Sequence, residues 1–369
     1  MQPFNLDYSR IKEKTVTGRY VTNVEVDKFL NLYSKKFEIE EIGFSVLQKK
    51  IKMVTIGTGP KKILMWSQMH GNESTTTKAV LDLLNYLKEP SDLAKTILKE
   101  CTLKIIPILN PDGAAAYTRI NANEVDLNRD AHDRSQPESR VLRAVYDAFE
   151  PHFCFNLHDQ RTIFNVGMNQ KPATISFLSP AHDEERSISK TRGISMQLIV
   201  AMNSLVQNLI PGQVGRYDDS FNHNCVGDAF QMLGTPTILF EAGHFEDDYD
   251  REHTRMYIFY AMLKGVETIA KAEIEQYPQH LYLEIPENSK LFYDILIKNA
   301  DQIVQELPKN SDLGILYKEV LESNTIKFIP FVDKTGHLDD YFGHKTYNCL
   351  DENDAKIVKA NKKLLNCIS

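Results

Sequence analysis

The chain has 369 residues, 42% of them hydrophobic, enough to bury a full core in one catalytic-sized domain with further structure beside it. Its 43 basic and 50 acidic residues are mixed along the chain and leave a net charge of −7, which argues against nucleic acid as a partner. No apolar run approaches the roughly 20 residues of a membrane span, the start of the chain lacks a basic-then-apolar signal design, and five cysteines without a C-x-x-C fit a reducing cytoplasm better than a disulfide framework.

Residues 1–40 read as an irregular, partly helical, charged lead-in. Strands are predicted at 43–48, 51–56 and 61–68, and the third runs into His70, Gly71, Asn72 and Glu73. A soft base and a hard anion three positions apart, in a turn leaving an apolar strand, supply two ligands to zinc while leaving coordination positions open. The spacing alone is not specific, because His182 and Glu185 repeat it in a charged stretch that reads as a solvated loop or helix start. Ser74 and the threonines after it can cap a helix that places Val80, Leu83, Leu84 and Leu87 on one face.

A β-branched apolar run over 101–109 then stops at Asn110, Pro111, Asp112 and Gly113, a turn signal. The next stretch, Thr118 to Asp130, is too rich in Asn, Asp and Arg to be core. A buried-strand candidate at 152–157 delivers His158 at its carboxyl end, and another at 236–241 delivers Glu241 in the same way; a further strand is expected at 174–179. Helices are expected near 184–209, through Leu198, Ile199, Met202, Leu205, Val206 and Leu209, and near 251–271, through Met256, Phe259, Tyr260, Leu263 and Val266. Strands alternating with helices predict an α/β chain, a three-layer α/β/α sandwich on a mixed, largely parallel sheet. In such sheets the ligand crevice lies outside the carboxyl ends of the strands, so the polar residues at successive strand ends point at one site. Beyond Gln276 the pattern breaks into short runs at 291–297, 315–317 and 326–331, which predict a small β-rich accessory domain. His337 and His344, each following a glycine, read there as turn residues. The resulting division is 1–40, 41–275 and 276–369.

Taken singly, each polar residue has an ordinary reading. A strand-end histidine is more often a hydrogen-bonded structural residue than a ligand, Asn128 and Arg129 could cap a loop or form surface ion pairs, and Glu241 could cap the following segment. The ordered set is more specific. His-Gly-Asn-Glu, then Asn-Pro-Asp-Gly, then Arg119-x-Asn121 followed by Val125 to Arg129, then His158 and Glu241, resembles the zinc carboxypeptidase family, the carboxypeptidase A-like metallopeptidases, over roughly residues 50–270. The 85 positions between Glu73 and His158 are closer to that clan's compact bacterial branches than to its digestive enzymes.

The resemblance implies one zinc ion per chain held by His70, Glu73 and His158, with Asp126 hydrogen-bonded to a ligating histidine. It implies Glu241 as general base, Arg119 as the carbonyl-polarising group, Asn128 and Arg129 as the pair that binds a substrate carboxylate, and Tyr217 as the family's mobile tyrosine. The implied reaction is hydrolysis of an amide next to a free carboxylate, foremost by a metallocarboxypeptidase removing C-terminal residues from peptides. Murein-peptide amidases and N-acyl amino acid deacylases of the same clan use similar machinery. A catalytically silent relative that binds peptide or acyl-amino acid termini is the alternative of another class, and the filled ligand and base positions weigh against it. Departures from the family pattern fall at Glu124, Asp130 and the run Asp159, Gln160 and Arg161, and they bear on the substrate pocket. Asp218, Asp219 and Asp228 lie in the segment expected to line it, which suggests a preference for an amine-bearing side chain. Cys225 lies nearby without a dedicated catalytic partner.

Overall fold

A computed structural model describes residues 3–34 and 36–368. The strands are β1 (Glu38–Phe44), β2 (Lys50–Ile56), β3 (Lys61–Ser67), β4 (Cys101–Ile106), β5 (Phe153–Asp159), β6 (Asn165–Val166), β7 (Ile175–Leu178), β8 (Val214–Arg216), β9 (Thr237–Ala242), β10 (Asn288–Ser289), β11 (Phe292–Lys298), β12 (Asp312–Glu322), β13 (Thr325–Gly336) and β14 (Phe342–Asn348). The helices are α1 (Tyr8–Ile11), α2 (Asn23–Leu32), α3 (Thr75–Leu87), α4 (Asp92–Glu100), α5 (Pro111–Ala116), α6 (Pro137–Phe149), α7 (Lys190–Val206), α8 (Val226–Met232), α9 (Glu252–Ala270), α10 (Glu352–Ala360) and α11 (Lys362–Ile368).

Eight strands form one mixed sheet in the order β1-β2-β4-β3-β5-β9-β7-β8. Its centre is parallel, with β3 between β4 and β5 and β9 beside β5, while β1, β2 and β7 join antiparallel. Alternation along β3 explains the layers. Ile63 and Met65 face the core shared with α3, α7 and α9, and Leu64 and Trp66 face the opposite core with Leu142, Tyr146 and Phe149 of α6 and Phe230 of α8. Helices on both faces of a mixed sheet give the expected α/β/α sandwich.

Several elements differ from the sequence reading. The strand expected at 43–48 is instead β1 at 38–44, because residues 45–49 form the turn that reverses the chain into β2, with Ser45 N donating to Lys49 O at 2.9 Å. The run at 101–109 leaves the sheet after Ile106, where Pro107 removes a ladder donor. The helix expected from 184 begins only at Lys190, capped by the Ser189 side chain on Arg192 N. The lead-in is built into the main core: Ile11, Val16, Val21, Val26, Phe29 and Leu30 are buried there. Arg255 of α9 holds the lead-in through the carbonyls of Val16 at 2.7 Å and Glu13 at 2.9 Å.

After Gln276 the chain forms a second, four-stranded sheet in the order β13-β12-β11-β14, closed by α10 and α11, two helices the short apolar runs gave no sign of. His344 is a correction: it lies inside β14, not in a turn. Its ring stacks on Phe292 at 4.4 Å and meets His244 at 4.1 Å, and it shares a 2.8 Å hydrogen bond with the Thr162 carbonyl. Register explains the placement, since Gly343 pairs with Tyr293 in a parallel ladder and carries its neighbour into the seam between the two sheets.

Candidate metal centre

The site is assembled at the carboxyl ends of β3, β5 and β9. Beyond β3, Gln68 takes a left-handed conformation (φ 44°), and a turn closed by Glu73 N on His70 O at 3.1 Å follows. The Asn110 turn supports it directly. Asn110 N donates to Gln68 O at 3.0 Å and its side-chain amide to Met69 O at 3.2 Å. Gly71 packs so closely on Gly113 that a Cβ would stand 1.9 Å from the Gly113 carbonyl carbon. The two motifs are therefore one unit in space.

Three side chains meet there. His70 Nδ1 lies 2.8 Å from Glu73 Oε1, His158 Nδ1 lies 2.9 Å from Glu73 Oε2, and the two Nδ1 atoms are 3.0 Å apart. Donor atoms tetrahedral about zinc at bonds of roughly 2.0–2.1 Å are separated by about 3.3 Å, close to this spacing, and two imidazoles with one carboxylate form a catalytic-type donor set. His70 Nε2 sits 3.0 Å from Asp126 Oδ1, an acceptor that keeps the proton on Nε2 and the Nδ1 lone pair turned to the cluster. Among the described residues no other trio of His, Cys, Asp or Glu offers ligand atoms this close together.

The electrostatics follow from burial and proximity. Burial works against ionisation of Glu73, yet the two histidines hold its carboxyl well below the usual range. Burial likewise opposes protonation of His70 and is outweighed by Glu73 and Asp126, whereas at His158 burial prevails and lowers its pKa. Glu241 pairs in register with His158 across β5 and β9 and is 8% exposed. Burial first, then the charges of Glu73 and Asp159, push its carboxyl well above the ordinary value. Glu241 Oε2 and His158 Nε2 are buried without a hydrogen-bond partner.

Arg119 is half-exposed, with Nη1 3.4 Å from Glu73 Oε1 and Nε 3.1 Å from Asp126 Oδ2. Asn128 is buried, its Oδ1 accepting from Val226 N at 3.1 Å, which leaves the amide donors free. Arg129 is exposed and spends Nη1 on its neighbour's carbonyl, Asn128 O, at 2.7 Å. Tyr217 follows β8, its ring 5.4 Å from Phe164, close enough to Glu241 and Glu73 that burial and their charges raise its hydroxyl pKa.

Of the departures noted in the sequence, Asp130, Asp159 and Gln160 turn inward, while Glu124 and Arg161 are exposed. Asp159 accepts from Thr75 N at 3.0 Å and Thr76 N at 3.4 Å, so it caps α3 in place of Ser74, whose side chain bonds the Arg19 carbonyl instead. Gln160 is buried on Ala173 O and Ser176, and Asp130 caps the approach to α6 through Ser135 N and Gln136 N. Of the three acids expected in the pocket, Asp219 is neutralised by Arg192 at 2.6 Å and Arg186 at 3.3 Å, and exposed Asp218 bonds Ser220. Buried Asp228 accepts from Asn222 N, and burial pushes its carboxyl up to about 7. That arrangement leaves little fixed negative charge for an amine.

Arg251 was not anticipated. It takes φ 56° at the start of α9, and its guanidinium donates to Ala242 O and, at 2.6 Å, to Gln160 O, tying together the strand ends that carry Glu241 and His158.

Residues 23–193 match the family described as Zinc carboxypeptidase. This segment, a little under half of the chain, is therefore similar to zinc carboxypeptidases. Carboxypeptidase SOL1 of Arabidopsis thaliana is 33% identical over 137 residues, covering 33% of this chain and 28% of that protein. Carboxypeptidase 2 of Trichophyton rubrum is 29% identical over 101 residues, 27% of this chain and 19% of that one, so the chain spans under a third of the length of either relative. A metallo-carboxypeptidase from Burkholderia cenocepacia shares the fold with a TM-score of 0.57 at 16% identity, over 69% of this chain and 70% of that one. Carboxypeptidase A from Helicoverpa armigera does so at 0.55 and 18%, over 73% and 77%. The carboxypeptidase fold of these two structures thus covers about seven-tenths of this chain.

Proposed function

We propose that this protein is a zinc-dependent metallocarboxypeptidase that removes C-terminal residues from peptides. The observation that carries the reading is the cluster of His70, Glu73 and His158 beside a buried, unpartnered Glu241 oxygen. The donor set fits one zinc ion, which when bound there would supply Lewis-acid activation of water and of the scissile carbonyl. Glu241, whose burial strengthens it as a base, would in its ionised form take the proton of the attacking water and pass it to the leaving amine, a service worth on the order of 10²–10⁴ in rate. Arg119 stays charged beside Glu73 and Asp126 and donates to the carbonyl oxygen as charge builds on it. The free donors of Arg129 and Asn128 receive the substrate's terminal carboxylate, and Tyr217 closes over it. No helix among the described residues is long and apolar enough to cross a membrane, and five free thiols accord with a cytoplasmic setting.

The test compares peptides, C-terminally amidated peptides and N-acyl amino acids before and after chelation, and repeats the panel with Glu241→Gln. The expected result is metal-dependent release of C-terminal residues from free-acid peptides only, reduced roughly 10²–10⁴-fold by the substitution. Stoichiometric zinc without turnover of any substrate would instead indicate a binding protein.

A further inference from the structure

Glu319, on β12 of the small sheet and outside the family-matched segment, is linked to the candidate metal-ligand turn through two intermediate residues. Its Oε1 pairs with Arg19 Nη2 at 3.2 Å, and its Oε2 accepts from the Tyr117 hydroxyl. Both partners lie on segments bonded to the immediate neighbours of Glu73. The Arg19 carbonyl accepts from Ser74 Oγ at 2.6 Å, and the carbonyl of Thr118, next to Tyr117, accepts from Asn72 N at 3.2 Å. One residue further along, Arg119 contacts Glu73 itself. Tyr117 holds φ 56°, a conformation a bulky side chain keeps only where its surroundings secure it, and the Glu319 contact secures the far end of its ring.

The charge arrangement points the same way. Arg19 and Arg251 are buried guanidiniums of like sign; Asp159 and Glu319 act on both, and Asp250 acts on Arg19. Without Glu319, the two buried cations would lose the carboxylate that pairs directly with Arg19.

We propose that Glu319 is a positioning residue for Glu73 and Arg119, so that the small sheet is part of the hydrolytic apparatus. This rests on the metallocarboxypeptidase reading for its kinetic half only. The test uses the full chain with Glu319→Gln, measuring zinc affinity by competition with a chromogenic chelator and kcat and KM on a blocked dipeptide. Zinc affinity and kcat are each expected to fall about tenfold, the scale for removing an outer support of a metal ligand, with KM within about twofold. Tyr117→Phe removes one of the two arms and is expected to lower kcat about threefold; adding it to Glu319→Gln should cost little more, because both break one contact. A folded Glu319→Gln protein with parental zinc affinity and kcat overturns the proposal. If that variant does not fold, parental values in Tyr117→Phe overturn it equally. A parent chain that binds zinc and cleaves no peptide defeats the functional reading alone, since the zinc affinities still decide the role of Glu319.

Discussion

At the scale of single residues, the division between ligand and support is set by what each polar atom has left to offer. Arg129 keeps donors free because only Nη1 is committed, to Asn128 O, whereas Arg192 in the same region is buried and spent on Asp219. Replacing Arg129 with Ala is therefore expected to lower kcat/KM for free-acid peptides by roughly 10²–10³, the worth of two charge-assisted hydrogen bonds, while leaving the poor turnover of amidated peptides unchanged. Steady-state kinetics on matched acid and amide substrates read this out; a parallel loss on both would remove Arg129 from carboxylate recognition. The clustering of His70, Glu73 and His158 was foreshadowed in the chain by the order of the motifs and their placement after strands, whereas the roles proposed for Glu241, Arg119 and Arg129 come from the resemblance. Arg19, Arg251 and Glu319 carried no such signal: an isolated charged residue reads as surface until its burial is known.

At the scale of elements, the metal-ligand turn depends on contacts from other segments. Gly71 has no room for a Cβ against Gly113, so Gly71→Ala is expected to leave the chain misfolded or with strongly weakened metal binding, read by near-ultraviolet circular dichroism and zinc titration. Asp159 places a carboxylate on the amide ends of α3, and Asp159→Asn is expected to lower unfolding stability by about 1–2 kcal/mol, measured by denaturant titration. A change of a few tenths would mean that the cap contributes nothing. The sequence placed α3 after Glu73 correctly from its apolar stripe but looked for its cap among Ser74 and the threonines after it, the nearest candidates in sequence. The cap comes from a residue 84 positions away, and only folding brings it there.

At the scale of the whole molecule, the lead-in, α3 and α9 are fastened by buried charge. Glu252 takes Lys78 at 2.5 Å and Lys12 at 2.7 Å; burial opposes its ionisation, but these cations hold its carboxyl down at about 2. Burial lowers Lys78 to about 8, so the pair as a whole stabilises less than the carboxylate alone suggests. Because the folded pKa of Glu252 lies below the ordinary 4.5, its contribution is complete above about 4.5 and is lost as the pH falls toward 2. Glu252→Gln, which strands Lys78, is expected to cost about 3–5 kcal/mol at neutral pH, with the gap to the parent closing over that acid range. Denaturation midpoints across pH check this, and a gap constant with pH would refute it.

The α/β/α sandwich, the turns that carry the ligands and the order of the polar motifs were all determined by the sequence, because periodicity, turn residues and spacing act locally. The tertiary structure alone decided which charges are spent on one another, which carboxylate caps α3, that the lead-in belongs to the core and that the small sheet contacts Arg19 and Tyr117 through Glu319. Those outcomes depend on burial and on contacts between residues dozens to hundreds of positions apart, where the energy of a charge is set by its neighbours in space.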